Sequence, residues 1–160
     1  LAALDAVVIV SGPKGERKIP FAEFHRLPGN QPEKDNTLQK GELITGVTIP
    51  DNKFQKNYHY LKVRDRISYA FALVSVAAAL EIDGGTIKDA RLAMGGVAHK
   101  PWRLHEAEQF LKGKSANETS FKQAAEVAMK DAKGYGHNNF KLKLAPATIV
   151  ETLQVAAKKS

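Results

Sequence analysis

The chain of 160 residues carries 24 Lys and Arg against 17 Asp and Glu, a formal net charge of +7, with 43% apolar residues and no cysteine. That apolar fraction sustains one packed domain, or a domain with part of a second, and argues against disorder. The absence of cysteine excludes disulfides, thiolate nucleophiles and cysteine-bound metal in this chain, and no apolar run approaches the roughly 20 residues of a membrane span.

Leu1 to Val10 reads as the end of a helix running straight into a strand, an opening expected of a piece of a longer chain. Ala6 to Val10 is β-rich, Ser11-Gly12-Pro13-Lys14-Gly15 is turn chemistry, and Glu16 to Pro20 is predicted to return as a second strand. Phe21 to Leu27 suits a short helical turn with Phe21 and Phe24 on one face, and Pro28 to Asn36 is a polar loop. Leu43 to Ile49 reads as a strand that stops at Pro50. These stretches make an incomplete β-rich unit. The polar connector Asp51 to Asn57 is the expected boundary, giving units 1–52 and 53–160.

The second unit opens on an aromatic-rich strand that ends in the cations Lys62, Arg64 and Arg66, with Asp65 among them. A regular strand would set the three cations on one side, which calls for an anion nearby. Val74, Val76, Ala78, Leu80 and Ile82 then alternate with Ser75, Ala77, Ala79 and Glu81, the period of a strand. Asp83-Gly84-Gly85-Thr86 supplies a tight hairpin turn, and Thr86 to Met94 is the predicted partner strand. Gly95-Gly96 is read as its end, because no glycine-rich phosphate fingerprint leading into a helix accompanies it.

Pro101 is placed at a first helical position, with Leu104, Ala107, Phe110 and Leu111 as the buried stripe and Gly113 at the C-cap. Trp102 is expected to be a core anchor against the hairpin. Ser115 and Glu118 have capping-box spacing for a second helix, whose face is Phe121, Ala125, Ala128, Met129 and Ala132 and which Gly134 closes. A third helix is predicted from near Pro146, burying Ile149, Val150, Leu153 and Ala157 and ending in Lys158-Lys159, which suit its dipole. The fold expected is α+β: a mainly antiparallel sheet of three or four strands packed with about three helices, plus the β-rich remnant.

His25, His59, His99, His105 and His137 form no ligand spacing, so no metal site is assigned. His137 sits in a loop where polar residues fix turns, and no nucleophile–base or acid–base set emerges, so no catalytic residue is named. The basic charge is spread along the chain without a recognition motif. That argues against nucleic acid, because solvated surface lysines are the commoner explanation; a phosphate-bearing cofactor and an acidic partner protein are the other meanings of a basic balance.

Three stretches run Lys62-Val63-Arg64-Asp65-Arg66, Ser68 to Ala77 (SYAFALVSVA) and Ala90 to Arg103 (ARLAMGGVAHKPWR). With Leu27-Pro28-Gly29, Gly41-Glu42-Leu43-Ile44 and Gly136 to Lys141 (GHNNFK), they span nearly the whole chain in order. Together they resemble the C-terminal part of the FAD-binding subunit of molybdenum hydroxylases, the family of xanthine dehydrogenase, carbon monoxide dehydrogenase and bacterial aldehyde oxidoreductases, most of all the bacterial three-subunit enzymes. The resemblance implies FAD in the full subunit, with molybdopterin and 2Fe-2S clusters in partner iron–sulfur and molybdopterin subunits. Electrons released by hydroxylation at molybdenum, on aldehydes or purines, would pass through the clusters to FAD and on to an acceptor.

The resemblance also implies two cofactor-binding residues. Lys62 matches a lysine that contacts FAD, where a cation near the flavin edge favours the reduced anion. Ile44 matches an aliphatic residue packed against the isoalloxazine ring. From the residues alone, Lys62 also reads as an edge-strand lysine that discourages aggregation, and Ile44 as ordinary strand core. Tyr69 is expected to be buried, with a flavin-covering role as the alternative. A second reading of the whole chain is a non-catalytic assembly module that docks an acidic partner subunit.

Overall fold

The computed structural model describes residues 1–158. Its first element is a single 3-10 turn, Ala2–Leu4, closed by a left-handed Asp5 (φ 51°), where a helix end was expected. Strands β1 (Val7–Gly12) and β2 (Gly15–Pro20) form an antiparallel hairpin, with Gly15 at φ 99°. A four-residue helix α1 (Phe21–Phe24) follows, and β3 (Leu43–Thr48) pairs with the other edge of β1 to give the order β2-β1-β3. Period-two alternation on β1 buries Val8 and Val10, which meet Ile19 and Phe24 in a small core. β3 takes little part in it: Leu43, Ile44 and Val47 are 73%, 50% and 45% exposed.

Strands β4 (Asn57–Val63), β5 (Val74–Asp83), β6 (Thr86–Gly95) and β7 (Trp102–Arg103) form an antiparallel sheet in chain order. Gly84 and Gly85 take φ of 55° and 77°, the left-handed pair that a two-residue hairpin turn with the correct twist requires. Three helices cover one face: α2 (His105–Leu111), α3 (Glu118–Met129) and α4 (Lys141–Lys158). Val74, Val76, Ala78 and Leu80 of β5 and Ile87, Ala90, Leu92 and Met94 of β6 pack there against Leu111, Phe121, Ile149 and Leu153. Each large side chain so buried contributes about 1.5–3 kcal/mol. Small residues on the facing surfaces, Ala78 of β5 with Ala145 and Ala156 of α4, are fully buried and suit close approach of helix to sheet.

The opposite face carries three cross-strand rows: Lys62–Ser75–Gly95, Tyr60–Ala77–Ala93 and Tyr58–Ala79–Arg91. The N-terminal turn lies against β5, β6 and β7 on this side. Its Ala3 is buried, as are Ala79 and Ala93 of the sheet. The joint is polar. Arg103 Nη1 donates to Ala2 O (2.7 Å) and Asp5 Oδ1 (2.8 Å), while the rest of the guanidinium pairs with Glu108. Arg91 reaches Asp5 Oδ2 (3.4 Å) and stacks over Phe54 at 5.1 Å, so the connector expected to be merely polar is anchored by a buried ring.

Several local expectations give way to tertiary pairing. The helix expected at Pro101 starts at His105, because the Leu104 amide donates to Leu92 O (2.9 Å) and prolongs the β6 ladder. Trp102 is therefore an edge-strand residue, opposite Met94 and 41% exposed, not a core anchor. Ser115 forms a β-bridge with Thr86, which leaves Asn117 to cap α3 by accepting from Ser120 N (3.0 Å). Helix α3 ends at Met129, so Ala132 and Gly134 lie beyond it. Helix α4 begins at Lys141, five residues before the expected start, and holds Pro146 near its N-terminal end, where the proline removes only the bond to Leu142 O. Lys158 occupies its last turn; Lys159 lies outside the described residues.

Candidate functional site

Alternation along β4 turns His59, Leu61 and Val63 toward the helices and leaves Tyr58, Tyr60 and Lys62 on the outer face. Lys62 stands in the row of Ser75 and Gly95, and a Cβ on Gly95 would meet Ser75 Oγ at 2.6 Å. Beyond Val63 the strand stops. Residues 64–72 form a loop whose ends are joined by Leu73 N donating to Val63 O (2.8 Å). Arg64 and Arg66 consequently do not continue the face of Lys62, contrary to the regular strand assumed from sequence.

The loop is held from below. Lys62 Nζ donates to Ala70 O (2.7 Å), and the Arg66 guanidinium donates to Tyr69 O while its centre lies 5.9 Å from the Tyr69 ring. Tyr69 adopts φ 51°, a conformation uncommon and strained for a bulky residue, and is 95% exposed instead of buried. The reason is local. The left-handed backbone and the closed loop point Ile67, Tyr69 and Phe71 outward, at 89%, 95% and 97% exposure. Gly96, φ 75°, packs under the end of this loop; a Cβ there would meet Leu73 O at 2.9 Å. Among the described residues, none of Lys62, Arg64 and Arg66 pairs with a carboxylate. The face is aromatic and cationic, suited to a flat anionic partner.

Ile44 lies on β3, opposite Val10 and half exposed, in the other sheet. Among the described residues no side-chain hydrogen bond joins it to Lys62, and neither residue lines either of two cavities in the molecule. One, of about 400 Å³, lies between Ala3–Asp5, residues 50–54 and Arg91. The other, of about 960 Å³, lies among β7, α2, the end of α3 and the start of α4.

The perturbed ionisable groups belong to structural pairs elsewhere. The Arg17 guanidinium grips the Glu42 carboxylate with two bonds of 2.7 Å, the Gln39 amide adds a third, and Glu42 is held down at about 2. Burial pushes Asp89 up, but the Lys112 ammonium, Arg91 and the Ala90 amide outweigh it and leave Asp89 below its usual range. Burial likewise opposes charge on Arg103, and Glu108 and Asp5 reverse the sign. His137 is exposed in a turn fixed by its neighbours, Asn138 Oδ1 accepting from Tyr135 N (2.6 Å) and Asn139 Oδ1 from Gly136 N (3.1 Å). Among the described residues no three His, Asp or Glu side chains converge on a metal position.

Two features were missed from sequence. Ile67, Tyr69 and Phe71 alternate with Ser68 and Ala70, a period that reads as strand and so concealed the outward-facing loop. The Asp5–Arg103–Glu108 joint left a signal: Glu108 is a charge four residues from Leu104 and three from Leu111, inside the apolar stripe of α2.

Residues 58–156 match the CO dehydrogenase flavoprotein C-terminal domain, and residues 1–52 match the FAD binding domain in molybdopterin dehydrogenase. The aldehyde oxidoreductase FAD-binding subunit PaoB of Escherichia coli is 45% identical over 156 residues, which cover 96% of this chain and 45% of the relative. Quinoline 2-oxidoreductase from Pseudomonas putida superposes with a TM-score of 0.84 at 26% identity, covering 98% of this chain and 54% of the other. Reconstituted CO dehydrogenase from Oligotropha carboxidovorans shares the fold, with a TM-score of 0.87 at 21% identity over 99% of this chain and 55% of the other. The chain thus spans about half the length of the relatives it matches. The order of its two sheets, the helical layer over one of them and these matches place the chain in the family of the CO dehydrogenase flavoprotein C-terminal domain, preceded by a segment of the molybdopterin-dehydrogenase FAD-binding domain.

Proposed function

We propose that this chain is the C-terminal piece of an FAD-binding electron-transfer subunit in a molybdenum hydroxylase of xanthine dehydrogenase or aldehyde oxidoreductase type. Its partners in this reading are an iron–sulfur subunit and a molybdopterin subunit. The carrying observation in the molecule is the outer face of β4. There Lys62 presents an ammonium with a carbonyl partner but no carboxylate, beside the exposed rings of Tyr58 and Tyr60 and the loop bearing Tyr69 and Phe71. When bound, FAD supplies a store for two electrons that can be filled and emptied one at a time.

A flavin needs an apolar wall, donors at its ring edge and a cradle for the pyrophosphate. Ile44 is a candidate for the first and Lys62 for the second. The third is missing from the described residues. Gly84 and Gly85 make the hairpin turn, and the Cβ positions of Gly95 and Gly96 are filled by Ser75 Oγ and Leu73 O. Neighbouring protein, not a ligand, requires those glycines. One wall and one charge stabilise a complex by a few kcal/mol, against an association cost of about 4–15 kcal/mol. The chain by itself should therefore lose FAD on gel filtration; stoichiometric flavin surviving the column would overturn this division of the site.

In the full-length subunit, Lys62→Ala should weaken flavin binding or lower its reduction potential. Loss of a charge-assisted contact costs about 1.5–3 kcal/mol, roughly a tenfold to hundredfold change in affinity. Unchanged flavin content and potential in a folded variant would leave Lys62 a latch for the 64–72 loop and nothing more.

A further inference from the structure

The 960 Å³ cleft beside β7 takes no part in the flavin reading, and its volume is at the upper end of the range for small-ligand sites. Its floor is apolar: Met94, Leu104, Ala107 and Ala145 are buried core residues seen from their open side, and Trp102 and Leu142 stand half exposed at the walls. The cleft exists because β7 ends after two residues, so among the described residues no further strand extends this edge of the sheet, and residues 96–99 and Leu27 complete the rim between α2 and the start of α4.

The charges around it sort into two groups. Glu106 pairs with Lys130, and Asp131, the other acid of the cleft, is exposed and, among the described residues, forms no ion pair. Arg103 is committed to Glu108 and Asp5. That leaves Lys133 and Lys141. Lys133 is exposed and, among the described residues, forms no ion pair. Lys141 Nζ touches a carbonyl, Gly96 O at 2.6 Å, and lies 6.0 Å from the Phe140 ring centre. Two ammonium groups without carboxylates therefore overlook an apolar floor with an indole at one wall.

We propose that this cleft binds an amphipathic monoanion: a hydrophobic body, aromatic or aliphatic, that carries a carboxylate. The body covers the floor against Trp102, and the carboxylate meets Lys133 and Lys141 at the rim. A fully polar ligand would leave the floor wet, and an uncharged one would gain nothing from the two ammonium groups.

Trp102 is the only tryptophan in the sequence, so its emission reports the cleft directly. The test is to titrate the protein with decanoate while following Trp102 emission, and with naphthoate by calorimetry. Saturable binding of one molecule per chain is expected for one or both acids. Tighter decanoate would identify an aliphatic ligand and tighter naphthoate an aromatic one, either outcome supporting the site. Naphthalenemethanol, which lacks the charge, should bind several-fold more weakly than naphthoate. Lys133→Gln should weaken the acids about threefold and the Lys133→Gln, Lys141→Gln pair about tenfold, with binding falling as salt rises. Lys56→Gln, on the exposed connector, should change nothing. The proposal is overturned if Trp102 emission and the calorimeter show no saturable binding at millimolar acid, or if Lys56→Gln weakens binding as much as the cleft lysines do.

Discussion

The four-stranded sheet buries one face under three helices, where Leu80, Leu92, Phe121, Ile149 and Leu153 meet in a continuous core. The three-stranded sheet has only Val8, Val10, Ile19 and Phe24, covered by one helical turn, and leaves β3 open on both sides. Apolar burial is proportional to area, so the first unit can offset the entropy of ordering its own chain and the second has little with which to do so. Polar contacts take up part of that difference. Arg17 clamps Glu42 across the smaller sheet, and Asp5 docks it on Arg103 and Arg91 of the larger one. The smaller sheet thus leaves an apolar strand open beside a thin core, and the larger one is closed on one face by helices.

The sharpest way to break this comparison is to separate the two. Residues 53–160 alone should unfold in one cooperative thermal transition, while 1–52 alone should show none. A molten, protease-sensitive 53–160 would mean that the larger sheet leans on the smaller.

The joint comes next. Arg103 and Glu108 side chains are 8% and 4% exposed, so Glu108→Ala takes the buried carboxylate from the guanidinium, leaves it only Ala2 O and the exposed Asp5, and also frees the Leu92 amide. A loss of about 3–5 kcal/mol is expected in denaturant unfolding. Adding Arg103→Met should recover much of it; a single-variant loss below about 1 kcal/mol would show the pair to be solvated in practice.

The smallest effect is an acid one, confined to the small sheet. The Glu42 carboxyl titrates near its ordinary 4.5 in the unfolded chain and at about 2 in the folded one. Between those values the unfolded state binds more protons, so the contribution of Glu42 is complete above about 4.5 and is lost as pH falls toward about 2. Amide exchange at Val8 and Ile19 should accelerate, relative to Val76 and Leu92, over that interval. Glu42→Gln should abolish the difference in pH dependence, and equal acceleration in both sheets would contradict it.

Local chemistry was legible wherever a short pattern determines its own outcome. The alternation of Val74 to Ile82, the Gly84-Gly85 turn and the faces of the three helices all follow from period and turn propensity. The motifs around Lys62, Arg91 and Gly136 carried the family. As to the site, the sequence pointed to Lys62 and Ile44 but could not place them: they stand in separate sheets, and the loop that Lys62 latches was invisible in it.

Tertiary structure decided what depends on a distant partner. Trp102 became an edge strand because Leu92 offered a carbonyl to Leu104, and Ser115 lost its capping role because Thr86 was there to bridge it. In each case a backbone group could be satisfied in two ways of similar local cost. The choice fell to the hydrogen-bond partner that only the folded chain brings within reach.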